Sequence, residues 1–276
     1  MSQGIPERTF QEVSQLALSL IRDEVHGLFS RCSENTSEVN ATLKMLFWYL
    51  ASRSQAVSFL ASNGFGWDAE IVLRSFYETA AKILFICFAD EAEKDNLVVE
   101  FWRGLGSIDD RRTARKANFA KNVFDAGDIS NMTFALLEDG RLFDLNPEGS
   151  RAERKRLEQK WSFSEILESL SKRNIGGESL SNIRALLHIY GMASHLIHAD
   201  QAAMGLMSDR ASRDSSERAL LEESHICRIF SDQVNISWFC ADALRRHFSE
   251  TFSDLERLRE AVNLVMQRRA PFFFNA

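Results

Sequence analysis

Five times along the chain a capping residue is followed three positions later by glutamate: Asn35 and Glu38, Asp90 and Glu93, Ser162 and Glu165, Asp214 and Glu217, Ser253 and Glu256. Each pair opens a run with apolar residues at helical period. A short polar side chain at the cap accepts from the free amides of a first turn, and the glutamate reaches back to the cap amide. A chain that starts helices so often leaves little room for a sheet. Only three prolines and 13 glycines interrupt its 276 residues. No segment alternates polar and apolar residues between hairpin turns. The pattern predicts helices at 6–31, 37–62, 67–89, 91–121, 130–139, 150–173 with a break at Trp161, 179–206, 215–249 and 253–269. Asn63-Gly64-Phe65-Gly66 and Asn174-Ile175-Gly176-Gly177 read as turns. No repeat of solenoid period is present. The expected fold is all-α, one helical-bundle domain over 1–276, with a basic loop and helix insertion at about 103–160.

The bulk chemistry narrows the setting. An apolar share of 45% beside 26% charged residues is that of an ordinary soluble globular protein. A formal charge of -6 weighs against a surface that binds nucleic acid everywhere, and leaves room for a local basic patch. Cys32, Cys87, Cys227 and Cys240 stand alone, with no C-x-x-C pair, which suits free thiols in a reducing compartment. Met1–Arg8 holds no basic region followed by an apolar core, so no signal peptide is expected. The longest apolar run, near Ile83 to Ala89, falls far short of the roughly 20 residues that span a bilayer. A cytoplasmic protein without a membrane partner is the expectation, and no cofactor is indicated.

Two basic runs lie in the expected insertion. One holds Arg111, Arg112, Arg115, Lys116 and Lys121. The other holds Arg151, Arg154, Lys155, Arg156 and Lys160, tempered by Glu153 and Glu158. Such runs serve as a solvated helix face, or they hold phosphate or an acidic partner protein.

The chemistry concentrates in two polar islands inside apolar helices. On the expected helix 67–89, Val72, Leu73, Phe76, Ala80, Ile83, Leu84 and Cys87 form one apolar face, and Trp67, Ile71, Ala81 and Phe85 a second. Arg74 and Glu78 interrupt the second stripe four residues apart, with Glu70 one turn earlier. A helix apolar on most sides sits centrally in its bundle, and a buried charge there needs a partner. Arg74 and Glu78 are either a structural ion pair or a site where Arg74 holds an anion and Glu78 orients a histidine or binds a proton.

The other island is Arg184-Ala-Leu-Leu-His188-Ile-Tyr190-Gly-Met-Ala-Ser194-His195-Leu-Ile-His198-Ala-Asp200. Tyr190, Ser194 and His198 recur at four-residue steps along one side of a helix. Arg184, His188 and His195 fall on the adjacent side. His198 reads either as a core histidine with a hydroxyl partner or as a general acid–base group titrating near neutral pH. His195, His198 and Asp200 have metal-ligand chemistry, but two histidines three residues apart point about 60° apart on a helix, and no H-E-x-x-H is present. No metal site is assigned. Ser194 lacks the Gly-x-Ser-x-Gly setting of a serine nucleophile.

Leu73-Arg74-Ser75-x-x-Glu78, then Trp161-Ser-x-Ser-x-Ile-Leu, then Tyr190-x-x-x-Ser194-x-x-x-His198-Ala199 resembles a widespread bacterial family of helical proteins of unknown function, over roughly residues 40–210. More remotely the chain is similar to HEPN-type helical domains, many of them metal-independent ribonucleases in toxin and antiphage systems, marked by arginine four to six residues before histidine. No arginine stands at that spacing before His198, so Arg74 would have to supply it from another helix. The resemblance implies binding or cleavage of RNA or a nucleotide, and a homodimer. In that reading His198 is the acid–base group, Arg74 holds phosphate, and Ser194, Tyr190 and Glu78 orient them. Arg111, Arg112, Arg115, Lys116, Arg154, Lys155 and Arg156 guide the polyanion. The alternatives are a non-catalytic protein-interaction module with a buried structural polar network and, less well supported, a metal-dependent hydrolase using His195, His198 and Asp200.

Overall fold

The structure, a computed structural model, describes residues 9–34, 36–123 and 129–274. The expected cap at Asn35, the first residues of the expected helix 6–31 and the leader question at Met1–Arg8 lie outside the described residues. Among the described residues the fold is all-α apart from one two-residue-per-strand hairpin. In chain order the elements are α1 (Phe10–Arg31), α2 (Glu38–Ser62), α3 (Gly66–Cys87), α4 (Glu91–Val99), a π-helical stretch (Glu100–Leu105), α5 (Gly106–Lys121), α6 (Ile129–Leu136), α7 (Arg151–Lys160) and α8 (Phe163–Ser171). After β1 (Asn174–Ile175), β2 (Glu178–Ser179) and a 3-10 turn (Ser181–Ala185) come α9 (Leu186–His198), α10 (Gln201–Ser212), α11 (Ser215–His247) and α12 (Leu255–Phe274).

Capping chemistry explains most of these starts. Asp214 accepts from the amides of Ser216 and Glu217, and Ser162 from that of Glu165. Asp90 sits at the start of α4 without a side-chain capping bond. Ser37 caps α2 through the Asn40 amide. Asp254, rather than Ser253, receives the Arg257 amide at the start of α12, while Glu24 of α1 accepts from the amides of Ser253 and Asp254. Two reciprocal capping boxes escaped the sequence pattern, Thr9 with Glu12 and Ser150 with Glu153.

The expected helix 179–206 is corrected in two places. Residues 174–179 form an antiparallel hairpin, Asn174 opposite Ser179 and Ile175 opposite Glu178. Gly176 and Gly177 close it at φ 61° and 88°, the positive values that a two-residue hairpin turn demands. Further on, Ala199 takes φ 47° and ψ 39°, a left-handed conformation that ends α9. Asp200 then restarts the chain as the cap of α10, accepting from Ala202 and Ala203 at 3.0 and 3.2 Å. The expected helix 91–121 also differs, since its middle widens into the π stretch. Helix 150–173 does break at Trp161, which ends α7.

The chain divides into two compact units, Met1–Phe88 with Leu167–Ala276, and Ala89–Ile166. In the first, α3 lies at the centre, against α2, α9 and α11, while α1 packs on α11 and α12. Leu73, Phe76, Ile83 and Leu84 of α3 are fully buried, each stabilising the fold by about 1.5–3 kcal/mol. Val13, Ala17, Ile21, Val25 and Leu28 form the buried seam of α1, and Phe230, Val234, Ala241 and Leu244 that of α11. Cys87, Cys227 and Cys240 are buried, Cys32 is half-buried, and none of the four is joined in a disulfide among the described residues. In the second unit α7 runs close to the π stretch. A Cβ on Gly104 would lie 2.6 Å from Cδ2 of Leu157, so a larger residue there would make the end of that side chain shift. Glu100 holds the same contact by accepting from Lys160 at 2.7 Å and from the Trp161 indole at 3.0 Å. Among the described residues no helix is long and apolar enough to cross a membrane.

Candidate functional site

Packing of α9 on α3 brings the two polar islands together. Arg74 and Glu78 occupy one stripe of α3, and Tyr190 and Ser194 one stripe of α9. Arg74 Nε donates to Glu78 Oε1 at 3.2 Å, Nη1 to the Ser194 hydroxyl at 3.2 Å and Nη2 to the Tyr190 hydroxyl at 2.7 Å. The Tyr190 hydroxyl in turn donates to Glu78 Oε1 at 2.6 Å. The guanidinium carbon lies 4.5 Å from the centre of the Tyr190 ring. Burial, then the hydrogen bond to Glu78, push the Tyr190 phenol above its ordinary value, so it keeps its proton at neutral pH. The tetrad is only partly covered: side-chain exposure is 23% for Arg74 and 34% for Glu78.

His198 is not hydrogen-bonded to this tetrad. It ends α9 one turn beyond Ser194, with its side chain exposed and without a hydrogen-bond partner among the described residues. The other polar groups of the island go elsewhere. Arg184 pairs with Glu168 at 3.3 Å. His195 Nδ1 lies 2.6 Å from Asp200 Oδ2; a carboxylate only accepts, so the proton sits on Nδ1 and Nε2 faces away with a free lone pair when the ring is neutral. That contact pulls the Asp200 carboxyl below its ordinary value. His188 is exposed. Among the described residues no three of His, Cys, Asp and Glu gather to hold a metal ion.

A second charged cluster was missed. Glu70, one turn before Arg74 on α3, turns to α11 instead. Its Oε2 accepts from Arg228 and from His225 Nε2, the latter at 3.2 Å. Arg228 also donates to Asp232 at 2.8 Å, and the Tyr77 hydroxyl donates to the same carboxylate at 2.8 Å. Burial raises the Glu70 carboxyl, but the His225 hydrogen bond and the Arg228 charge outweigh it and hold the group below its usual value. Burial dominates at Asp232, whose carboxyl is pushed up despite Arg228. Arg228 is held protonated: Glu70 and Asp232 overcome the burial that would otherwise weaken it. The sequence did carry a signal here. Arg228 and Asp232, four apart among Ile226, Cys227, Ile229 and Phe230, repeat the pattern of Arg74 and Glu78. Beside this cluster lies a cavity of about 350 Å³ between α3, α9, α10 and α11.

The basic residues of the second unit divide into two groups. Arg112 pairs with Glu158, Lys121 with Glu138 and Lys160 with Glu100, while Arg154 turns back onto the carbonyls of Pro147 and Gly149. Arg111, Arg115, Lys116, Arg151, Lys155 and Arg156 are exposed and make no ion pair among the described residues.

Residues 40–215 match the model of a family of unknown function (DUF5677), and the chain belongs to that family. No curated protein and no solved structure matches the chain.

Proposed function

We propose that the tetrad of Arg74, Glu78, Tyr190 and Ser194, with His198 beside it, is a phosphodiester site, and that the protein is a HEPN-like, metal-independent ribonuclease or RNA-binding protein of toxin or antiphage defence. The observation that carries this reading is the state of Arg74. Three oxygens fix its guanidinium in orientation, yet it stays partly open to solvent. Three of its five N–H groups are used, which leaves two for a phosphate oxygen.

In this reading His198, one turn along α9 from Ser194, takes the proton from an RNA 2′-hydroxyl as that oxygen attacks phosphorus. The same ring returns the proton to the departing 5′-oxygen. Arg74 balances the charge that grows on the phosphorus oxygens. Exposed Arg111, Arg115, Lys116, Lys155 and Arg156 supply the salt-sensitive attraction a polyanion needs. Dimer formation belongs to the HEPN analogy.

The mutual satisfaction of the tetrad also supports a non-catalytic reading, in which it fixes the packing of α9 on α3 for a protein-interaction module. Wild type and His198→Ala, incubated with total RNA and with tRNA, with and without EDTA, separate the two. Cleavage by wild type alone, unaffected by EDTA, is expected. Absence of cleavage, together with a melting temperature that nucleotides leave unmoved, overturns the ribonuclease reading.

A further inference from the structure

We propose that the cavity between α3, α9, α10 and α11 is a second binding site, separate from the tetrad, for a mononucleotide. It does not rest on the ribonuclease reading. At 100° per residue the α9 side chains that line the cavity, His188, Ile189, Met192 and Leu196, lie on the side of the helix opposite Tyr190, Ser194 and His198. One helix therefore serves two sites that do not share a side chain from it.

Two orphaned atoms point to a ligand. Glu70 Oε1 is buried without a hydrogen bond among the described residues, on a side chain 3% exposed. Arg210 Nη1 is buried without one as well. Both residues line the cavity. Buried polar atoms are rarely left without partners, and these two are of opposite kind, an acceptor and a cationic donor. One molecule that satisfies both must offer a hydrogen-bond donor and an anionic or carbonyl oxygen.

The surrounding charges select among such molecules. Glu70 already faces Arg228 and His225, and Arg210 stands over Trp67, its guanidinium carbon 5.1 Å from the ring centre. An ammonium group on Glu70 would stand beside Arg228 on the same carboxylate and be repelled, so a neutral donor suits the site better. The amino or ring N–H of a nucleobase is neutral and planar. The apolar wall of Met192, Leu196, Leu206 and Leu221 accepts such a ring on its face. The 5′-phosphate then falls to Arg210, whose fork of donors matches phosphate oxygens. A volume of about 350 Å³ lies at the lower end of the roughly 300–1,000 Å³ usual for small-molecule sites, which suits a single nucleotide rather than a polymer.

Calorimetry on the full chain with AMP, GMP, CMP and UMP, and with the four nucleosides, tests this. At least one mononucleotide is expected to bind below about 1 mM, and its nucleoside about tenfold more weakly. Arg210→Ala should remove the preference for the phosphate and leave the nucleoside affinity. Met192→Trp and Leu206→Trp each fill the cavity from a different helix and should abolish both, so the test survives if one variant folds poorly. No heat from any of the four at about 1 mM overturns the proposal. So does binding that both tryptophan variants retain and Arg74→Ala removes, because that ligand would sit at the tetrad. RNA cleavage, assayed on the same variants, reports separately on the tetrad.

Discussion

Arg74 and Tyr190 meet in two ways at once: the guanidinium carbon stands 4.5 Å from the ring centre, and Nη2 donates to the phenolic oxygen at 2.7 Å. Tyr190→Phe separates them. The ring face remains and the hydroxyl goes, so Arg74 loses an acceptor and Glu78 a donor. The expected loss of stability is about 1–2 kcal/mol, read as a fall in the urea midpoint. Tyr190→Leu, which also removes the ring, should lose more. Equal midpoints for Tyr190→Phe and wild type would show that the hydroxyl does not hold α9 to α3.

His198 and Glu78 should respond in opposite ways. His198 is exposed and has no hydrogen-bond partner among the described residues, so His198→Ala should leave stability within about 0.5 kcal/mol of wild type while abolishing RNA cleavage. Glu78→Ala takes the shared acceptor from both Arg74 and Tyr190, and should cost about 1–2 kcal/mol. A His198→Ala protein that unfolds much earlier than wild type would make the histidine structural.

The difference between these residues explains what could be read from sequence. Helix starts were legible because capping is local chemistry: Asp214 and its amides lie within three residues. The tetrad was legible because an arginine, glutamate, tyrosine and serine at four-residue steps are misfits on apolar faces, and misfits on neighbouring helices find one another. His198 continued the same four-residue step but sits where α9 stops, so periodicity grouped it with residues it does not bond. The Glu70 cluster needs α11 packed against α3, across about 155 positions of chain, and spacing alone does not reveal that partner. The break at Ala199 was hidden for a further reason. Alanine is the best helix former, and its left-handed φ is imposed by the chain's turn into α10 rather than by its own preference.

That imposed conformation makes a substitution with a favourable sign. A left-handed conformation costs an L-residue with a Cβ about 1–2 kcal/mol, and glycine escapes the cost. Ala199→Gly should therefore raise stability by about 1 kcal/mol, seen as a higher urea midpoint with unchanged slope. A neutral or lower midpoint would mean that the turn between α9 and α10 is not strained. RNA cleavage should persist, because the backbone at His198 keeps its path.

The Glu70 cluster gives the fold two opposed responses to acid. Glu70 is held below its ordinary value of 4.5, so the folded state binds its proton less readily than the unfolded chain. Its contribution is complete above pH 4.5 and is lost as pH falls through the lower folded value. Asp232 is raised above 3.8, so its ionised form costs stability at neutral pH, and that cost is relieved as pH falls through the raised value. Glu70→Gln should cost about 3 kcal/mol at neutral pH, since it strips a buried carboxylate from Arg228. The gap to wild type should narrow below pH 4.5, where wild type loses the same charge. Against Asp232→Asn, which imitates the protonated acid, wild type should gain as the pH drops. Urea unfolding at a series of pH values reads both gaps. Parallel curves for wild type and Glu70→Gln would sink the assignment of Glu70 as the buried anion that Arg228 and His225 hold.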